Sequence, residues 1–257
     1  MDWTDDDWRA IEDIGMSLQA LGGRLAALAR RRASAFTPTN ARAWWKAESL
    51  SALADGAAVT SWPDSSGNGY DLTVAPVVSE PPAYALNQIN GYPAVYFQGL
   101  QSLGGYMLPA SHPMAGQTEG HAFVVVWTPG SNLRNGNPVQ SFGLSGNSSH
   151  YTWEDGQCYE DFGSNIRYAY TPSLSVGAWR VHSIRAQDGL WRAYQDRSLS
   201  FSTTGNAVQW AASGYGIGGN GAWNLRGYVA EILLCSALTD AQYDTTVNYL
   251  MSKYGLT

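Results

Sequence analysis

Four carboxylates fall close together at Glu154, Asp155, Glu160 and Asp161. Cleaving a glycosidic bond needs two such groups held roughly 5–9.5 Å apart. On a continuous strand Glu154 and Glu160 share a face but stand about 20 Å apart, at about 3.3 Å per residue. A two-residue turn at Asp155-Gly156 instead pairs Glu154 with Gln157 and sets Glu160 opposite Tyr151. Neither arrangement unites two acids, so solvated loop charges are expected, with no catalytic residue and no enzymatic activity. His112, His121, His150 and His182 are scattered without the short spacing of a zinc site. Ser145, in G-L-S-G-N, lacks the G-x-S-x-G elbow of a nucleophilic serine.

Asp64, Ser66 and Asn68, followed by Gly69, follow the first positions of a calcium loop, but position twelve is Ala75 where a bidentate glutamate belongs. They are a weak calcium candidate, and no other cofactor or metal is expected. Aromatic rings beside amides suit saccharides, because a ring covers the apolar sugar face while an amide bonds its hydroxyls. Trp153, Tyr159, Tyr168 and Tyr170 with Asn147 and Asn165 form one candidate glycan region. Trp223 with Asn220 and Asn224 forms another. The competing reading is plain core, since the chain holds 11 Trp and 15 Tyr.

The elements that must position these groups read as β-structure. In 257 residues only 14% are charged, against roughly 25% in an average globular protein. Aromatics reach 12% and glycines number 28, which excludes a disordered chain and points to many turns. A net charge of -6 argues against nucleic acid as a partner. No apolar run approaches the roughly 18 residues of a membrane span. The acidic start MDWTDDDWRAIED lacks the basic and apolar regions of a secretory signal. Cys158 and Cys235 are too few for a disulfide framework and read as two buried thiols.

Strand candidates are Ala94–Phe97, Ala122–Trp127, Arg180–Arg185, Leu190–Tyr194 and Tyr228–Cys235, short and rich in β-branched or aromatic residues. Asp188-Gly189 separates two of them and signals a hairpin. Without alternating helices, an antiparallel sandwich is expected. Thr239 with Gln242 makes a capping box for a closing helix. Tyr243, Val247, Leu250, Met251 and Tyr254 form its apolar stripe, and Gly255 stops it. This helix is expected to cover an edge or an open face of the sandwich.

Residues 1–36 have another pattern. Ile11, Ile14, Leu18, Leu21, Leu25 and Leu28 step by three and four, as the a and d positions of a heptad repeat. The seam is about two and a half heptads long and is interrupted by Gly15, Gly22 and Gly23, so such a helix needs a partner surface. Self-association, with a modest preference for a trimer, docking into a larger assembly, and packing on the home domain are the alternatives. The domain expectation is a helical oligomerisation or anchor segment over 1–36 and a β-sandwich over 37–257.

Three blocks after residue 40 carry a family resemblance. The first contains Trp62, Asp64, Ser66, Gly67, Asn68 and Gly69; the second is an N-G-x-P-A-V-x-F strand from Asn90 to Phe97. The third runs from a G-x-x-A-E-I strand with Glu231 to a helix ending Y-L-x-x-K-Y-G at Lys253, Tyr254 and Gly255. Together they resemble LamG-like, concanavalin A-like jelly-roll domains, as found in phage tail-fibre, minor tail and head-fibre proteins. The resemblance implies a mainly β, antiparallel concanavalin A-like sandwich with a C-terminal capping helix. It also suggests a virion structural protein, made in the host cytoplasm and anchored through its N-terminal helix. Its expected partners are its own copies, other virion proteins and possible surface polysaccharide, with no nucleic acid and no membrane. A cellular lectin module is the alternative reading, and a glycoside hydrolase the third.

Overall fold

The computed structural model describes residues 36–76, 80–99, 105–130, 139–143, 149–219 and 224–257. The chain divides into two units, Met1–Thr37 and Pro38–Thr257. The heptad stripe from Ile11 to Leu28, with the coiled coil and trimer expected of it, lies outside the described residues.

Pro38–Thr257 is mainly β, and every strand pairing is antiparallel. Eight strands form the main sheet: β1 (Ala41–Lys46), β4 (Ala83–Ile89), β5 (Tyr92–Gln98), β7 (Glu119–Trp127), β10 (Arg180–Gln187), β11 (Leu190–Gln195), β12 (Ser198–Thr203) and β13 (Arg226–Cys235). Their order is β12-β11-β10-β7-β13-β5-β4, with β1 also paired to β13. The turn at Asp188-Gly189 fixes the β10–β11 register, Gln187 facing Leu190, with Gly189 at φ 77°.

The near-continuous apolar text of β7 reflects burial of both its faces. Ala122, Val124 and Val126 enter the sandwich core, while Phe123 and His121 lie under the ring of Tyr243 on the helix. That helix, α1 (Asp240–Tyr254), starts at the Thr239–Gln242 capping box and ends at Gly255, φ 64°. It covers an open face of the main sheet rather than an edge. The stripe residues Tyr243, Val247, Leu250, Met251 and Tyr254 are all buried.

The second layer is built from much shorter pieces: β2 (Ser61–Trp62), β3 (Leu72–Val74), β6 (Met107–Pro109), β8 (Cys158–Glu160) and β9 (Tyr168–Tyr170). Single bridges carry the ladder onward from β6, through Met107–Ile217 and Gln140–Ile217, and through His150–Tyr159 into β8 and β9. Hydrogen bonds between Val139 and Ser149 and between Ser149 and Gln140 supply the rung between these bridges. The core between the layers is aromatic: Trp45, Trp62, Phe97, Phe142, Phe162 and Trp191 are fully buried. Each buried indole N–H finds a carbonyl, of Tyr70, Lys46 and Phe162 for Trp45, Trp62 and Trp191 respectively, so burial leaves no donor orphaned there.

Two resemblance blocks explain themselves as structural devices. Asp64 Oδ1 accepts from the N–H groups of Trp44 and Ser66, and Oδ2 accepts from the Ser66 hydroxyl and the Tyr70 N–H. Asn68 Nδ2 donates to the carbonyls of Ala41 and Arg42. Asp64, Ser66 and Asn68, the weak calcium candidate, are thus engaged in closing a loop, each Asp64 oxygen accepting two hydrogen bonds. Glu231, fully buried on β13, accepts from the Trp44 indole, Lys253 Nζ at 2.6 Å and the Tyr254 hydroxyl at 2.8 Å. Burial pulls the Lys253 pKa down, but the carboxylates of Glu231 and Glu48 outweigh it and hold the ammonium above its ordinary value. Lys253, Tyr254 and Gly255 are therefore more than a helix stop: they clamp α1 to the sheet.

Candidate functional site

The β8–β9 end of the second layer separates inward from outward side chains by simple alternation. Cys158 and Glu160 point into the sandwich, and Tyr159 between them points out. Glu160 is 2% exposed. Its Oε1 accepts from Gln140 Nε2, the Ser149 hydroxyl and the N–H groups of Asp161 and Phe162. Its Oε2 lies 3.5 Å from His182 Nε2, on β10 of the opposite layer. Glu160 thereby joins separate second-layer segments to one another and to the main sheet.

Asp161 is also fully buried, and Gly143 makes room for it: a Cβ on Gly143 would stand 2.3 Å from Asp161 Oδ1. The expectation of solvated loop charges is corrected for both residues. The expected register changes too, since His150 bridges Tyr159 and Ser149 reaches Glu160, so Tyr151 is not opposite Glu160. Tyr151 instead packs its ring against His182 at 4.8 Å and takes a hydrogen bond from Gln195.

The outer surface carries an aromatic and cationic platform. The Arg167 guanidinium lies 4.7 Å from the centre of the half-buried Tyr159 ring, a cation–π contact. The Tyr159 hydroxyl donates to Asp155 Oδ2 at 2.7 Å. That bond raises the phenol's pKa. Burial pushes the Asp155 carboxyl up, but hydrogen bonds from the Gln157 N–H, the Tyr159 hydroxyl and its own N–H together outweigh it and hold the carboxyl below its ordinary value. His150 sits beneath, its ring 4.5 Å from that of Trp153 and edge-on. Burial, with help from Arg167, lowers the His150 pKa to about 3, so its imidazole is neutral at neutral pH.

A groove of about 440 Å³ lies on the far side of Gly156, the residue that follows Asp155 in the chain. Gly156, in the turn closed by its own N–H to the Trp153 carbonyl, forms one wall. Gly130 and the segment Pro172–Gly177 form the others. Ser173 and Leu174 are fixed by hydrogen bonds to Gln195 Oε1. The size suits a small ligand. Exposed Glu154 and Asp155 stand beside the Gly156 wall.

The expected glycan residues divide. Trp153 and Tyr159 belong to the platform, and Asn165 is exposed in the turn before Arg167 and β9. Tyr168 and Tyr170 face the other way, against Trp191 and Phe201, and are corrected: Tyr170 is a buried core residue, and Tyr168 is half-buried against the core. Asn224 is buried and bridges Gly219, which corrects its assignment as well. Asn147, Asn220 and Trp223 lie outside the described residues. The sequence reading missed His150, Arg167 and the Pro172–Gly177 wall. The alternation of Cys158, Tyr159 and Glu160 was the available signal, since a buried thiol at 158 puts 160 inside and 159 outside.

No protein-family model and no curated protein matches this chain. Solved structures do share its fold. One is domain 4 of AbnA, a GH43 extracellular arabinanase from Geobacillus stearothermophilus, in complex with arabinotriose: TM-score 0.57 and 16% identity, covering 82% of this chain and 100% of that one. Another is Trypanosoma rangeli sialidase in complex with 2,3-difluorosialic acid, at TM-score 0.54 and 14% identity, covering 91% of this chain and 39% of the sialidase. The same sialidase with the inhibitor DANA matches at TM-score 0.51 and 15% identity, over 80% of this chain and 32% of the sialidase. The chain thus spans well under half of the sialidase's length.

These likenesses establish the fold, a β-sandwich related to concanavalin-like jelly rolls. They also correct two expectations. The matched structures come from glycoside hydrolases, not from virion fibres, which corrects the virion-fibre reading and the reading that excluded enzymes.

Proposed function

We propose that this chain is a carbohydrate-active β-sandwich of the kind glycoside hydrolases carry, holding a short saccharide on the Tyr159 platform and in the groove beyond Gly156. The observation that carries the reading is the outward Tyr159 ring with Arg167 and Asp155 beside it, and a groove walled by Gly156, the next residue after Asp155. A sugar offers C–H faces to rings and hydroxyls to charged side chains, and the half-buried Tyr159, with Arg167 over its ring and Asp155 at its hydroxyl, gathers these groups. The arabinanase domain holding arabinotriose, matched over its full length, supports the ligand class. Arabino-oligosaccharides are the first ligands to test.

Calorimetric titration of the full chain with arabinotriose, and with a panel of neutral and sialylated oligosaccharides, tests the proposal. Saturable binding to at least one saccharide, weakened by Tyr159→Ala, is the expected result. Silence across the panel overturns it. Hydrolysis is the second reading, with exposed Glu154 and Asp155, next to Gly156 in the chain, as its candidate carboxylates. Release of reducing sugar from arabinan, abolished by Asp155→Asn, would establish it. We also propose that residues 1–36 gather copies of the domain through the Ile11–Leu28 stripe, so that weak sites gain by avidity. Light scattering showing a monomer for the full chain would refute that part.

A further inference from the structure

On the opposite layer, a groove of about 270 Å³ lies between the β10–β11 hairpin and the first turns of α1. Three arginines line it, Arg185, Arg192 and Arg197, in a chain of net charge -6. Arg185 and Arg192 are directly opposite one another in the antiparallel register. Like charges in that relation are destabilising unless something answers them. Two acids, Asp240 and Asp244, share the lining with the three cations.

The existing partners answer only part of this charge. Arg185 lies over the Tyr243 ring and bonds Asp240 at 2.6 Å. Arg185 also holds the Asp240 carboxyl below its ordinary pKa, so that acid is committed. Arg197 donates to the neutral amide of Asn248. The Arg192 guanidinium exerts a Coulombic pull on Asp240 but makes no side-chain hydrogen bond or ion pair among the described residues. The groove therefore keeps one positive charge in excess, beside two guanidinium groups whose planar forks suit an oxyanion.

We propose that this groove binds an oxyanion, a carboxylate or phosphate borne on a small polar molecule, with Arg192 and Arg197 as its ligands. The site lies on a different face from the Tyr159 platform and goes beyond the saccharide reading.

The test is an NMR titration of the full chain, following the arginine side-chain N–H signals, with three probes: D-galacturonate, inorganic phosphate and, as a neutral control, D-galactose. Saturable shifts at Arg192 and Arg197 with galacturonate identify a carboxylate source, and shifts with phosphate alone identify a phosphoryl source. Either supports the site, provided galactose leaves these signals unmoved and added sodium chloride weakens the effect. Arg192→Gln and Arg197→Gln are each expected to reduce affinity about tenfold or more, as loss of a charge-assisted hydrogen bond should. With no anion present, Arg192→Gln is expected to unfold no earlier than the wild type, because it removes the repulsion against Arg185. Absence of saturable shifts with both anions, or unchanged affinity in both variants, overturns the proposal. Arabinotriose binding at Tyr159 would be untouched by that failure.

Discussion

Glu231 and Glu160 are both sealed from solvent, but their charges are met by different means. Glu231, under α1, faces the ammonium of Lys253, an indole N–H and a phenol, and the ion pair fastens the helix to a long regular sheet. Glu160, between the layers, faces an amide, a hydroxyl, two backbone N–H groups and an imidazole. The main sheet has strands of six to ten residues whose ladders hold them without such help. The second layer, with strands of two or three residues and single bridges, relies on side chains like Glu160 for its alignment. One region is scaffold; the other exposes loops, a groove and the platform, where a binding surface can be built without disturbing the ladders.

The comparison can be broken first at Lys253. Lys253→Met leaves Glu231 buried without its ammonium, and should destabilise the fold by about 3–5 kcal/mol in denaturant unfolding. Changing Glu231→Leu in the same chain should recover only part of that loss: it removes the stranded Glu231 charge, but leaves Glu48 without its ammonium and the Trp44 indole and Tyr254 hydroxyl without their acceptor. If Lys253→Met alone proves neutral, the clamp is decorative.

Acid should strain both regions together. Burial lowers the pKa values of His121, under α1, and His150, under Trp153, to about 3 each. Unfolded histidine takes up its proton near about 6.5. Stability is therefore complete above that value and falls as the pH drops from about 6.5 towards 3, by on the order of 5 kcal/mol for each ring. Thermal unfolding across this range checks it. A flat profile above pH 4 would contradict the burial of both rings.

Glu160→Gln keeps the shape but gives up the charge-assisted bonds, and about 1.5–3 kcal/mol of stability should go with them. Because Glu160 aligns β8, saccharide affinity should fall in the same variant, while Glu231→Gln should leave affinity unchanged. The two tyrosine rings sharpen the contrast at smallest scale. Tyr170→Ala empties a core position and should cost about 3–5 kcal/mol, whereas Tyr159→Ala, at a half-buried surface position, should cost less than about 1 kcal/mol.

Legibility in the sequence followed the same division. β5, β7, β10, β11 and β13 were expected from alternating or continuous apolar text, the Asp188-Gly189 turn from its dipeptide, and α1 from Thr239, Gln242 and Gly255. These signals are local and several residues long, so they survive without tertiary context. The second layer offers none of this: Ser61–Trp62 or Cys158–Glu160 is too short to show a period. Its register depends on contacts such as Ser149 with Glu160 and His182 with Glu160, which connect segments far apart in the chain. Hence Tyr168 and Tyr170 were grouped with Tyr159 by proximity in sequence, although the β8–β9 pairing sets Tyr159 on the outer face and them on the inner.

Residue-resolved NMR of the full chain during an arabinotriose titration, repeated for Tyr159→Ala, tests the central claim most directly. Saturable shifts should centre on Trp153, Tyr159, Arg167 and Ser173–Gly177 in the wild type, and should vanish in a variant that stays folded. Shifts confined to other surfaces, or undiminished binding after Tyr159→Ala, would contradict the assignment of the outer β8–β9 face as the saccharide site.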